Sequence, residues 1–171
     1  MKLALKQKVF SLKESFQVMD EEGNPIYEVA GKLLSIGHKL TVTDMDGQEV
    51  AYIHQKVLSL VPKYFIEISG QEEVELKGHI TLLKPHYTLE TDSGKWEIRG
   101  DFMAHEYEMK RGRDVAAAVT KKWFTWGDTY LLDVDDDADV LTALGVMIAI
   151  DCIESDTSRG VSASVAEGTA N

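Results

Sequence analysis

The chain has 171 residues, of which 44% are hydrophobic, and its formal net charge is −11. A chain of this length fits one domain with a sizeable core. Its acidic balance excludes bulk binding to nucleic acid, because neutralising phosphates requires clustered lysine and arginine. It also argues against simple electrostatic attraction to an anionic membrane.

The N-terminus and the cysteine content both bear on the compartment. Cys152 is the single cysteine, so no intramolecular disulfide is possible. Near the N-terminus the apolar stretch between lysines is only three residues long, whereas a secretory signal needs about 7–15. We therefore expect a cytoplasmic protein in which Cys152 is a small buried apolar side chain rather than a reactive thiol.

Short runs of alternating polar and apolar residues recur along the chain. In three places such a run leads into an Asp, then a Gly two or three residues later, then a second run; these turns start at Asp20, Asp44 and Asp92. Gly accepts the positive φ of tight turns and Asp bonds its own turn backbone, so each unit predicts a β-hairpin. The predicted strands lie within residues 8–12, 16–19, 26–29, 40–43, 50–53, 64–68, 74–76, 80–83, 87–91, 96–98, 106–109, 115–119 and 130–134.

The run at 115–119 sets local propensity against context. Its three consecutive alanines favour a helix. However, Val115, Ala117 and Val119 alternate, and the segment follows a turn at Gly112. We therefore predict a strand.

The segment from Val140 to Ile150 is apolar except at Thr142 and Gly145. A helix without a polar face must be surrounded on all sides, and this one is too short for a bilayer, which needs about 20 apolar residues. We expect a core helix and no transmembrane insertion. Regularly spaced strands predict a sandwich or a barrel, and only a barrel encloses an axial helix.

The predicted fold is therefore mainly β with one buried helix. It is a closed antiparallel β-barrel of about 12 strands, threaded by the C-terminal apolar α-helix. Residues 1–156 form this single domain. The small, polar residues 157–171 show no periodicity and are predicted to be a flexible C-terminal tail.

Two segments resemble a known family. The first is KQKVFSLKESFQVMDEEGNPIYEVAGKLLSIGHKLTVTD, with an Asp-Glu-x-Gly-Asn turn and a later Ser-x-Gly-x-x-Leu; the second is WGDTYLLDVDDDADVLTALGVMIAIDCI, with an acidic step before an apolar helix. Both are similar to the YxjI/LURP-one-related (LOR) family, over about residues 3–156. The resemblance implies the tubby C-terminal-like fold, a β-barrel threaded by its C-terminal helix. It carries no catalytic residue, and relatives of the fold point to phosphoinositide binding (tubby-like proteins) or to calcium (phospholipid scramblases).

An acidic step, residues 133–139, precedes the helix and carries five carboxylates in seven residues. The spacing of its first carboxylates is similar to the start of an EF-hand loop, but Ala138 and Leu144 stand where that loop needs Gly and Glu. We interpret the step as structural, with Asp137 capping the helix and Asp139 in its first turn, where carboxylates favour the dipole. The alternative is a calcium site, and its candidate ligands are Asp133, Asp135 and Asp137.

A basic segment followed by aromatic residues forms the opposite candidate. Its bases would hold a phosphate headgroup, or they are solvated charges at a hairpin tip, diluted by Glu106, Glu108 and Asp114. The candidate ligand-binding residues are Lys110, Arg111, Arg113, Lys121 and Lys122, and the aromatic residues are Trp123, Phe124 and Trp126.

The sequence contains no catalytic constellation. Its five histidines are scattered, and neither a nucleophile elbow nor a phosphate-cradling Gly loop occurs. Asp151, near the end of the buried helix, should pair with a barrel Lys or Arg, since an unpaired buried charge is costly. We expect no enzyme and no cofactor. The predicted function is a cytosolic binding or adaptor module with a protein or lipid partner; the alternative is a peripheral phospholipid-binding module, phosphoinositide- or calcium-linked.

Overall fold

The computed structural model describes residues 1–6, 15–32, 35–79, 85–124 and 127–168. These residues form twelve strands, and each strand is antiparallel to the next; β1 pairs with β12 and closes the barrel. The strands are β1 (Lys2–Lys6), β2 (Ser15–Met19), β3 (Pro25–Gly31), β4 (Lys39–Asp44), β5 (Glu49–Gln55), β6 (Lys63–Ile68), β7 (Val74–His79), β8 (His86–Thr91), β9 (Gly94–Asp101), β10 (Glu106–Arg111), β11 (Asp114–Phe124) and β12 (Gly127–Val134). A 3-10 turn (Asp137–Asp139) leads into α1 (Val140–Gly168).

The strand predictions are confirmed wherever the structure describes them, including the alanine-rich run in β11. The runs at 8–12 and 80–83 lie outside the described residues. The sequence patterns do not predict β1, because the apolar stretch at residues 3–5 is only three residues long and lies between lysines. Leu3 and Leu5 are buried, and β1 pairs with β12 from Lys2↔Asp133 to Lys6↔Thr129.

The up-and-down order gives the barrel two distinct ends. The turns after β2, β4, β6, β8 and β10 lie at the end where β12 finishes and α1 begins; we name this the entry end. The connections after the odd-numbered strands lie at the other end, where α1 leaves the barrel; we name this the exit end. Because side chains alternate across a strand, one face of every strand points to the helix.

The helix is the axial core. The predicted buried residues of α1 are all buried, which confirms the threaded barrel: Ala143, Val146, Met147 and Ile150. Cys152 is also buried, as expected. Gly145 allows a close approach to the wall, because a Cβ there would lie 2.8 Å from Ile66 Cγ2 on β6.

The backbone of α1 stays helical as far as Gly168. The sequence predicted a flexible tail from residue 157 on, so the helical backbone of 157–168 differs from that expectation. Two hydroxyls in this part bond back to carbonyls four residues earlier, Thr157 to Ile153 and Ser158 to Glu154. Among the described residues, no helical segment combines the length and apolar character that a membrane crossing requires.

Candidate functional site

The first basic residues of the predicted patch take part in local ion pairs. Arg111 Nη1 donates to Asp139 Oδ2 at 2.8 Å and to Ser93 Oγ at 3.1 Å, and its guanidinium lies 5.9 Å from the Trp96 ring centroid. Lys110 Nζ lies 2.8 Å from a Glu108 carboxylate oxygen. Arg111 therefore holds β10 against the start of the helix instead of facing a ligand.

The rest of the predicted patch is spread along β11. Arg113 is exposed in the entry-end turn. Lys121 lies further along β11, where its register partner is Tyr130. It is seven residues from Asp114, the first residue of β11, so at roughly 3.3 Å per residue it is about 23 Å away from the entry-end turn. The side chains of Lys122, Trp123 and Phe124, and Trp126 altogether, lie outside the described part. The four bases whose side chains are described do not form one patch.

The acidic step has the structural role that the sequence indicated, with two corrections. Asp136, not Asp137, is the cap: its carboxylate accepts from the Ala138 N–H at 3.0 Å, because the 3-10 turn begins at Asp137 and so moves the cap back by one residue. Asp137 instead lies 3.4 Å from the N-terminal ammonium. Asp139 is predicted in the first turn of the helix but lies in the 3-10 turn directly before α1, where it is buried against Arg111.

The three candidate calcium ligands do not converge. Asp133 lies 3.9 Å from Lys2 Nζ on the neighbouring strand, whereas Asp137 faces the N-terminus. In the part of the chain that the structure describes, the group of three donors that does converge lies elsewhere, on the barrel wall. The acidic step thus lacks the closed set of about six oxygens that calcium needs.

We therefore expect only weak calcium binding, of about millimolar affinity. Calorimetry at physiological salt should show no saturable micromolar isotherm in the wild-type protein. The matched variant, Asp135→Asn with Asp137→Asn, should give the same titration. A micromolar isotherm that disappears in this variant would contradict the structural interpretation and restore the calcium site.

The exit end holds the helix through two histidine–carboxylate pairs. His105 Nε2 lies 2.8 Å from Asp151 Oδ1, with the two side chains 17% and 14% exposed, and the His105 ring stacks on Tyr130 at 4.1 Å. His38 Nε2 lies 3.0 Å from Asp156 Oδ1. The prediction that Asp151 is anchored to the barrel is confirmed, but its partner is a histidine and not a Lys or Arg.

A third carboxyl lies close to this anchor. Burial raises the pKa of the Glu154 carboxyl, the neighbouring His105 lowers it, and Asp151 raises it further. His105 itself adopts a positive φ of 54° in the β9–β10 connection, a conformation that non-glycine residues seldom adopt. The pair therefore fixes both the connection and the helix where α1 leaves the barrel.

Exposed apolar side chains stand at the same end. They lie on the β3–β4 and β5–β6 connections, and we name them the exit rim: Ile36 (81% exposed), Val57, Leu58 (94%) and Leu60 (101%). The two connections touch, since a Cβ at Gly37, whose φ is +77°, would lie 2.6 Å from Val57 Cγ2. Contiguous exposed apolar groups of this kind mark interaction surfaces.

The two connections that carry the exit rim and the turns of the entry end are opposite in charge, although Asp151, Glu154 and Asp156 of α1 add acids at the exit end. Residues 32–39 and 55–63, which carry the exit rim, contain four lysines and no acidic residue: Lys32, Lys39, Lys56 and Lys63. At the entry end, every turn except the one after β10 contains at least one acid, and the acidic step adds more. The net charge of −11 for the whole chain therefore does not predict the local charge of the exit rim.

Sequence reasoning missed the exit rim. Its signal is a set of four apolar residues between two strands, where a connection should be polar: Val57, Leu58, Leu60 and Val61, interrupted only by Ser59. Periodicity marks such residues only as apolar, and their exposure follows from how the connections project from the closed barrel.

Comparisons with known proteins agree with this architecture. The sequence profile described as LURP-one-related matches residues 1–151. The chain is 36% identical over 152 residues to the uncharacterized protein YxjI of Bacillus subtilis, covering 88% of this chain and 92% of that protein. The X-ray structure of an Arabidopsis thaliana protein is similar in fold alone, with a TM-score of 0.55 and 12% identity over 88% of this chain and 90% of that chain. The chain belongs to the LURP-one-related family.

Proposed function

We propose that this protein is a non-enzymatic binding module that docks its exit rim on an anionic phospholipid surface. The observation that carries the proposal is the near-complete exposure of Leu58 and Leu60 on a connection flanked by lysines. Interfacial membrane anchors combine exposed apolar side chains with neighbouring lysines. We also propose that the protein is cytoplasmic.

The magnitudes favour a reversible, peripheral contact. Fully burying a leucine side chain contributes about 1.5–3 kcal/mol, and each lysine near an anionic surface about 1 kcal/mol. Lys63 contributes less, because its Nζ already lies 2.8 Å from Glu75 Oε1. The Nζ of Lys56 lies over β6, 5.8 Å from the Phe65 ring centroid, beside the β5–β6 connection.

The separation of charge supports one orientation. The acids of the entry end are repelled by an anionic surface, whereas the exit rim carries lysines without acids in its own connections. The uneven distribution of these charges therefore favours contact through the exit rim over contact through the entry end. A protein partner, which the sequence leaves open beside a lipid one, would not require this pairing of lysines with fully exposed leucines.

The filled interior supports a non-enzymatic role. Buried side chains of α1, such as Val146 and Met147, occupy the barrel axis, where other barrels enclose a ligand. In the part of the chain that the structure describes, clefts of 630 and 380 Å³ lie toward the entry-end turns, and Thr142 near the start of α1 lines the first of them.

Vesicle flotation tests the proposal. The protein should float with phosphatidylcholine vesicles that contain phosphatidylserine and much less with phosphatidylcholine alone. Leu58→Ser and Leu60→Ser should each weaken partitioning about tenfold, which corresponds to about 1.4 kcal/mol. Lys56→Gln should have a smaller effect that disappears at high salt.

The matched control is Met45→Ser, which removes an exposed apolar side chain at the entry end and should leave flotation unchanged. A calcium chelator should also have no effect, because the acidic step lies at the opposite end. Absence of flotation with the anionic vesicles, or flotation of both leucine variants equal to that of the wild type, would reject the lipid surface and leave a protein partner as the occupant of the exit rim.

A further inference from the structure

Three possible metal donors converge on the outer wall of the barrel. His54 of β5, Glu67 of β6 and Glu73 of the following turn each offer one ligand atom, and these atoms all lie within 4.8 Å of one another. His54 Nε2 is 3.2 Å from Glu67 Oε1 and 3.7 Å from Glu73 Oε2. This cluster takes no part in the core, the helix anchor or the exit rim.

The spacing suits a small divalent cation. Two donors that each lie about 2.1 Å from a zinc ion at a tetrahedral angle are about 3.4 Å apart. The distances measured from His54 Nε2 to the two carboxylates lie on either side of that value. Only small side-chain rotations would be required to close the site.

The sheet holds the imidazole in place. The register pairs Tyr52 with Glu67 and His54 with Phe65, so His54 and Glu67 lie diagonally on the outward face. The His54 ring is stacked on Tyr52 at 5.4 Å and packed against Phe65 at 5.1 Å. Aromatic neighbours on both sides fix the plane of the ring and the direction of Nε2.

The charge balance also calls for a cation. Within the described ranges, the ion pairs of Glu67 and Glu73 are those with His54, while the nearby Lys63 is engaged with Glu75. Two carboxylates thus share a single histidine as their partner. A divalent ion would neutralise both and still accept the imidazole lone pair.

An open cleft adjoins the donors. It has a volume of 380 Å³, and Glu67 and Glu73 line it together with Glu49, Tyr52, Ser69 and Gln71. A metal held by three side chains keeps further positions open for water or a small anionic ligand, and the cleft provides room for them.

We propose that His54, Glu67 and Glu73 form a binding site for a divalent first-row transition metal such as Zn²⁺. One imidazole nitrogen with two carboxylates suits zinc and its neighbours better than calcium, which prefers six or more oxygens. The bound ion would join β5, β6 and the β6–β7 turn on the outer wall. This site is independent of the proposed membrane contact.

Titration of the chelator-treated protein with Zn²⁺ against a chromophoric chelator tests the site. The wild type should bind one equivalent saturably, whereas Ca²⁺ at the same concentration should not compete. His54→Gln, Glu67→Gln and Glu73→Gln should each weaken binding at least about tenfold, since even the loss of an outer-shell partner costs 10–100-fold. Glu49→Gln, which removes the same charge from the same cleft, should bind as the wild type does.

Melting temperature gives a second measurement. Zn²⁺ should raise it in the wild type and in Glu49→Gln but not in Glu67→Gln, because only a ligand that binds the folded state stabilises it. Exposed Glu→Gln changes have little effect on folding, so the apo variants should melt together. Absence of saturable zinc binding, or equal binding in all the variants, would overturn the site and leave the three residues as an ion-paired surface cluster.

Discussion

Replacing Val146 by aspartate is expected to abolish folding. Val146 is 0% exposed and lies on α1 inside the closed barrel, where a carboxylate would have neither water nor a basic partner. An unpaired buried charge costs about 3–5 kcal/mol, and the lost apolar burial adds about 1.5 kcal/mol or more. This sum approaches the whole stability of a typical domain, about 5–15 kcal/mol. Soluble yield, far-UV circular dichroism and a thermal melt measure the outcome.

The same substitution at Val115 is the matched control. Val115 is 41% exposed on β11, and its register partner is Lys110, so an aspartate there is solvated and faces a positive charge. Its melting temperature should stay close to that of the wild type. If Val146→Asp were soluble with an unchanged melting temperature, the helix would not be enclosed.

Gly145→Val is expected to be the second most damaging change. A Cβ at this position would already lie 2.8 Å from Ile66 Cγ2 and 3.3 Å from Ile66 Cδ1. Valine adds two methyl groups beyond that Cβ, at a contact that has no room even for the Cβ. Overpacking a core costs about 1–3 kcal/mol and occasionally more. We expect a loss of about 3 kcal/mol in the free energy of unfolding, measured by urea denaturation.

A graded series separates packing from helix propensity. Gly145→Ala gains about 1 kcal/mol of helix propensity, which partly offsets its smaller clash, so its net effect should lie well below that of valine. Thr142→Val places the same side chain one turn earlier on α1, at a site already filled by a β-branched residue, and should be tolerated. A Gly145→Val protein as stable as the wild type would show that α1 does not pack closely on β6.

Local signals in the sequence were sufficient for the barrel. Turns in which Asp is followed by Gly end strands whatever the rest of the chain does, so those at Asp20 and Asp44 indicated the meander. A helix without a polar face has to be enclosed, so Val140–Ile150 indicated the axis of the barrel. Pairings between distant residues were not predictable. His105 and Asp151 are 46 positions apart, and only closure of the barrel brings them together.

The same limit explains the sites. His54, Glu67 and Glu73 come from three successive segments, and the register of β5 with β6, not any spacing in the sequence, places their donors together. The bases of the predicted patch are not brought together, for the converse reason. Arg111 and Lys121 lie near each other in the sequence, but β11 is extended and separates them along the barrel wall. A motif in a strand covers more than twice the distance of the same motif in a helix.

Closure of the barrel by its first and last strands determines the order in which the protein can assemble on the ribosome. The N-terminal ammonium donates to the Val134 carbonyl at 2.7 Å, 133 positions away, and the helix that must be enclosed is synthesised after that. Until α1 has emerged, both edges of the sheet stay open and its inner face stays uncovered. We therefore expect the barrel to close only after α1 has been synthesised, since the pairing of β1 with β12 carries a large loop-closure entropy. The nascent sheet is accordingly the species in the life of this protein that most needs protection from edge-to-edge association.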